Sequence, residues 1–284
     1  MKWNIVADSS IDIFLPDKKP DCVEFFTVPF VLNVDGKEFV DDEKLDIGGM
    51  MAAMKASKKA SSSSCPSPGT WREYFLREGN TLAITITSGI SGSYNSAMTA
   101  RSMVMDECPG KNIEVIDSLS TGPALILILR KLLHLISEGL DFDGVMKAID
   151  EFRKHSFTSF VLASYDNLIK NGRMNRIAGL IAGRIGIHGI GIASPEGTID
   201  IKGIARSRKK AIHVVIEDMK HRAGQVKEVV IDHCFNNESA LLLKEAILSV
   251  WKDASITICS TRGLCSYYAE NGGLIIGFSS ESTM

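Results

Sequence analysis

A chain of 284 residues with 45% hydrophobic and 23% charged residues has an ordinary globular composition, and its length suits two domains of ~100–200 residues each. The formal net charge of −2 leaves no electrostatic footprint for nucleic acid or an anionic membrane surface. Residues 3–7 read as a buried strand ending in Asp8-Ser9-Ser10-Ile11-Asp12; no secretory signal pattern accompanies it, so a cytoplasmic protein is expected. Residues 23–34 are rich in β-formers, and Asp35-Gly36 marks a hairpin turn into 37–40. Helical patterning covers 47–56 and 71–77, on either side of the hydroxyl cluster Ser61-Ser62-Ser63-Ser64-Cys65-Pro66-Ser67-Pro68-Gly69.

Strand 81–87, helix 94–105, strand 113–117 and helices 123–137 and 142–153 complete a β-α rhythm that predicts a parallel sheet with helices on both faces. The most apolar of these helices meets Arg130-Lys131 after six apolar residues, against the about 20 needed to span a bilayer, so it is expected in the core. A second domain is expected from the strand-like 157–162. Beyond it come Asn167 to Arg173, a glycine-punctuated helix, and two short strands around Pro195-Glu196-Gly197. Helix 205–221, strand 227–232, helix 238–251, strand 255–259, a short helix and strand 274–278 follow. The expected architecture is α/β throughout: residues 1–155 as a parallel-sheet α/β/α domain and 156–284 as an α/β domain with a mixed sheet.

The segment Ser88-Gly89-Ile90-Ser91-Gly92-Ser93-Tyr94-Asn95-Ser96-Ala97 joins a strand to a helix. Such a turn brings hydroxyls, free backbone N–H groups and the positive end of a helix to one point, which suits a carboxylate or phosphate. Ligands of open α/β sheets bind beyond the carboxyl ends of the strands, where Asp8, the 88–93 turn and Asp117-Ser118 would all lie. Nucleotide binding is not supported: the glycines of 183–191 are not in GxGxxG order and no GxxxxGK[ST] occurs; close helix–sheet packing accounts for them. Six cysteines show no CxxC, and six histidines show no metal-ligand spacing, so free thiols and no metal are expected. Gly89-Ile90-Ser91-Gly92-Ser93 approaches the GxSxG nucleophile elbow but lacks its last glycine, and no histidine is marked as a partner. A carboxylate site needs only hydroxyls, a helix N-terminus and an arginine such as Arg173.

In order and over nearly the whole chain, these motifs resemble the DegV family of bacterial fatty-acid-binding proteins. Asp8-Ser9-Ser10-Ile11-Asp12 is similar to the family's opening Asp-Ser-Thr/Ser-x-Asp, and Ser63-Ser64-Cys65-Pro66-Ser67 to its Thr-Ser-Gln-Pro-Ser. Ser91-Gly92-Ser93-Tyr94-Asn95-Ser96-Ala97 matches Ser-Gly-Thr-Tyr-x-x-Ala; Val115-Ile116-Asp117-Ser118 and Leu168-Ile169-Lys170-Asn171-Gly172-Arg173-Met174 match two further motifs. The resemblance implies a two-domain carrier, not an enzyme, that holds a long-chain fatty acid in an apolar tunnel. It would present the carboxylate to a fatty acid kinase for phospholipid synthesis, without a cofactor, nucleic acid or stable membrane insertion. Ser63, Ser64, Ser91, Gly92 and Ser93 fall on the carboxylate-binding positions, and Arg173 on the arginine at the pocket mouth. The family's head-group histidine is replaced by Tyr268, within one residue. The alternative is a lipid or acyl-ester hydrolase with Ser91 as nucleophile.

Overall fold

The structure is a computed structural model that describes residues 1–174 and 187–283. In chain order its first part contains β1 (Trp3–Asp8), β2 (Val23–Val28), β3 (Val31–Val34), β4 (Lys37–Val40), α1 (Ile47–Ala56), β5 (Ser62–Ser64), α2 (Pro68–Phe75), β6 (Asn80–Thr85), α3 (Ser93–Glu107), β7 (Ile113–Asp117), α4 (Pro123–Ser137) and α5 (Phe142–Lys154). The second part contains β8 (Ser156–Leu162), α6 (Asp166–Lys170), β9 (His188–Ala193), β10 (Ile199–Ala205), α7 (Arg208–Ala223), β11 (Glu228–His233), α8 (Asn237–Val250), β12 (Ser255–Ser260), α9 (Gly263–Ala269) and β13 (Leu274–Ser279).

Strands β2-β1-β6-β7 form an all-parallel sheet, with Ile5 facing Phe25 on one side and Leu82 on the other. β1 and β6 are buried along their whole length, as a central parallel strand covered on both faces requires. The second sheet is mixed, in the order β10-β9-β8-β13-β11-β12; only β11 and β12 pair in parallel. The α/β class and the parallel and mixed sheets are as expected. The glycine-punctuated helix expected after Arg173 falls largely at 175–186, outside the described residues.

Helix α4 explains its own composition. Its residues join one core cluster with Ile5, Leu82 and Ile116 of the first sheet and Val230 of the second, so the helix is sandwiched between the sheets. A helix covered on both sides has no polar face to present, hence the unbroken run from Ala124 to Leu129. At Asp35-Gly36 both residues have positive φ (55° and 81°), the conformation that lets a two-residue turn match the twist of β3 and β4.

The sequence reading misses two short elements, one of them helix α6 (Asp166–Lys170). Ser62–Ser64, expected as loop, is β5, the third strand of a small antiparallel sheet β4-β3-β5, with Ser63 opposite Leu32. Three serines carry no apolar alternation; the free edge of β3 supplies their partners and sets their direction.

Candidate ligand-binding site

Beyond the carboxyl end of β6, facing β8 and β13, lies a cavity of about 380 Å³, within the ~300–1,000 Å³ range of small-molecule sites. Apolar side chains including Phe30, Ile86, Phe160, Leu162, Leu264 and Ile275 line most of it. At one end Ser63, Ser64, Ser91, Gly92, Arg173 and Tyr268 gather.

Each of these groups is positioned by its element. β5 holds Ser63 half-buried, and its Oγ lies 2.8 Å from the Tyr268 hydroxyl. Tyr268 sits on α9, whose N-terminus is pinned by the buried Asp41: Gly263 and Leu264 each donate a backbone N–H to its carboxylate at 2.8 Å. Tyr267 meets Tyr268 edge-on at 4.8 Å and accepts from Asn171 Nδ2 at 3.0 Å, while its hydroxyl lies 2.7 Å from Ser61 Oγ. Asn171 in turn accepts from Arg173 through its carbonyl at 2.6 Å. One chain of hydrogen bonds therefore runs from Ser61, just before β5, through Tyr267 of α9 and Asn171 to the arginine. The ring contact joins it to the Ser63–Tyr268 pair.

Across the cavity, Ser91 Oγ accepts the Ser93 backbone N–H at 3.3 Å. Gly92 is the N-cap of α3 and supplies no side-chain cap; Ser91 Oγ takes the Ser93 N–H, and the positive end of the helix at this point favours an anion. Ser93 points elsewhere: it is fully buried, does not line the cavity, and donates its hydroxyl to Asp8 at 2.6 Å. The structure thus brings Ser63, Ser64, Ser91, Gly92, Tyr268 and Arg173 together and places the Ser93 side chain behind the wall.

Asp8 is the anchor of that wall. At the carboxyl end of β1 it accepts from Ser10 Oγ (2.5 Å), Ser93 Oγ (2.6 Å) and Ile86 N (2.9 Å), tying the 88–93 turn to the first sheet. Burial nevertheless outweighs these donors and raises its pKa to about 6. Burial likewise pushes the Tyr268 hydroxyl up, with its bond to Ser63 acting the other way, so it remains a neutral donor through the physiological range. The β9–β10 turn closes the wall: Thr87 donates its hydroxyl to the Gly197 carbonyl at 3.0 Å. Gly197 has φ +75°, and a Cβ there would collide with Thr87, so only glycine fits.

Among the described residues no histidine or carboxylate hydrogen-bonds to Ser91, whose hydroxyl is engaged only by a backbone N–H. Among them, too, no cluster of His, Cys, Asp or Glu is suited to a metal, and no helix is long and apolar enough to cross a membrane.

A family profile described as an uncharacterised protein of the DegV family matches residues 2–281. The chain belongs to the DegV family. A DegV domain-containing protein of Streptococcus pyogenes serotype M18 is 39% identical over 278 residues, spanning 98% of this chain and 99% of that one. The fatty acid kinase (Fak) B3 protein of Streptococcus pneumoniae, crystallised with linoleic acid, superposes with a TM-score of 0.96 at 38% identity. The match covers 99% of this chain and all of that one. A DegV family protein of Eubacterium eligens, loaded with heptadecanoic acid, follows at a TM-score of 0.93 and 35% identity, covering 98% of this chain and 100% of that one.

Sequence reading alone does not find Ser61, Asn171 and Tyr267. Asn171 lies inside the Leu168–Met174 motif and Ser61 in the hydroxyl cluster, but their link runs through a tyrosine about a hundred residues from Asn171. Asp8 stands out in its motif, yet its part as the anchor of Ser93 depends on the β1–β6 pairing.

Proposed function

We propose that this protein is a cytoplasmic, non-enzymatic carrier that binds one long-chain fatty acid and presents its carboxylate to a fatty acid kinase for phospholipid synthesis. It would do so as two domains, 1–155 and 156–284, with the ligand between their sheets. The observation that carries this reading is the lining of the cavity: a mostly apolar wall, with Ser63, Ser91, Tyr268, the N-terminus of α3 and an arginine gathered at one end.

The division of labour follows from magnitudes. Burying each methylene is worth ~0.8 kcal/mol, so a tail of about 16 carbons offers on the order of 12 kcal/mol before ordering costs. The head group then needs only charge-assisted hydrogen bonds, each worth about 1.5–3 kcal/mol, to fix orientation. Ser63, Ser91 and Tyr268 are neutral donors of that kind, the α3 N-terminus adds its positive end, and Arg173 at the mouth serves presentation to the partner more than retention. Keeping the carboxylate at the hydroxyl-lined end leaves it within reach of a partner's phosphoryl donor.

Organic extraction and mass spectrometry of the purified protein test the reading. Close to one long-chain fatty acid per chain is expected, leaving chemically unchanged. A protein that carries no lipid and binds no added fatty acid overturns it. Turnover of an acyl ester that disappears with Ser91→Ala would establish the hydrolase instead.

A further inference from the structure

The far end of the cavity is not apolar. On β8, Leu162, Phe160 and Thr158 share one face and all line the cavity, which sets Thr158 roughly 13 Å along the strand from Leu162. Leu162 clusters with Leu168, whose carbonyl accepts the Arg173 N–H, so Thr158 marks the end away from the head group. Helix α9 agrees: Tyr268 faces the head-group end, and about a turn before it Cys265 Sγ lies 3.6 Å from the Thr121 hydroxyl.

At this distal end Ser120 Oγ and Thr158 Oγ1 lie 2.5 Å apart, one from the β7–α4 connection and the other from β8. Both residues are more than nine-tenths buried (7% and 3% exposed) and both line the cavity. Two hydroxyls carry two protons, and the bond between them uses one. The hydroxyl that accepts keeps its own proton, and neither oxygen has another hydrogen-bond partner among the described residues. A saturated tail offers that proton nothing, and a buried donor left unmatched is costly.

We propose that the cavity is built for a long-chain fatty acid bearing a hydroxyl group in its distal half. This rests on the carrier reading above and names the ligand class within it. The ligand hydroxyl would accept the leftover proton and donate its own to the other side chain. Three hydroxyls then close a ring in which each donates once and accepts once.

The test compares binding of stearic acid with its 8-, 10-, 12- and 14-hydroxy derivatives to the delipidated protein and to Thr158→Val and Ser120→Ala. At least one hydroxy isomer should bind about tenfold more tightly than stearic acid. Each substitution should remove about that preference while leaving stearic acid within roughly twofold; Thr158→Val keeps the strand and volume, and Ser120→Ala decides if it misfolds. Stearic acid that binds while every hydroxy isomer binds more weakly overturns the inference and leaves the carrier reading standing. So does a preference that survives both substitutions. Failure of every acid to bind the wild-type protein overturns the carrier reading itself.

Discussion

Asp8 allows a quantitative test of how the head-group wall is held. The carboxyl is completely buried, and burial raises its pKa from 3.8 to about 6 against the pull of Ser10, Ser93 and Ile86. Because the folded value lies above the unfolded one, the folded protein keeps a proton between those pH values that the unfolded chain releases. Stability from this group is therefore greatest below about pH 4, falls as pH rises toward 6, and is level above it. At ~1.4 kcal/mol per pH unit the rise corresponds to a loss of about 3 kcal/mol across that window. Urea unfolding of the wild type and Asp8→Asn from about pH 4 to about pH 8 measures it. Other titrating groups, including the buried Asp12 and Asp232, are present in both proteins and cancel in the difference. The stability of the wild type relative to the variant should fall by roughly 2 kcal/mol between pH ~4 and ~7, the part of the full change that lies in this range, and then stay constant. A difference that does not change with pH would refute the reasoning, because the three donor residues would then hold Asp8 ionised throughout.

Three further outcomes concern the ligand end. Ser63→Ala and Ser91→Ala should each weaken fatty acid binding by roughly 10- to 150-fold with folding intact; isothermal titration showing less than about a twofold change in both would place the head group elsewhere. Arg173→Ala should leave thermal stability and bound lipid nearly unchanged, since a half-exposed charge adds little to stability. Acyl phosphate formation with a cognate fatty acid kinase should fall sharply in that variant, and undiminished formation would refute a role in presenting the carboxylate. Tyr268→His should bind fatty acid more tightly toward pH 6 than at pH 8 relative to the wild type, because an imidazole with an ordinary pKa near ~6.5 becomes a cation there. Identical pH profiles for the two proteins would make Tyr268 a packing residue.

Local pattern carried most of the fold. The all-apolar stretch of α4 marked a core helix, and the β-α alternation marked a parallel sheet, because both are properties of contiguous segments. β5 was illegible for the opposite reason: Ser62, Ser63 and Ser64 extend only because Asn33, Leu32 and Val31 offer partners. The site divides along the same line. Ser63, Ser91 and Arg173 lie in motifs, whereas the Ser120–Thr158 pair joins a connection to a strand that no sequence spacing relates to it.

The departures from the family pattern show what the head-group end depends on in this chain. Cys65 stands where the family has glutamine, and a Cβ on Gly92 would lie 3.4 Å from its sulfur, so the Ser91-Gly92-Ser93 turn packs against a small thiol instead of a long amide. Burial holds that thiol's pKa above its ordinary value, so it faces the turn as a neutral group. Tyr268 stands where the family has histidine, and it reaches Ser63 as another neutral donor. With both changes, the hydroxyls at this end carry no charge at neutral pH, and among the described residues Arg173 is the cation that lines it. Retention of a carboxylate then rests on hydroxyl dipoles and the α3 N-terminus, with the arginine serving its presentation. The Tyr268 hydroxyl and the Cys65 thiol, both pushed up by burial, stay neutral between pH 6 and 8, whereas Asp8, raised to about 6, is the titrating group hydrogen-bonded to this wall through Ser93.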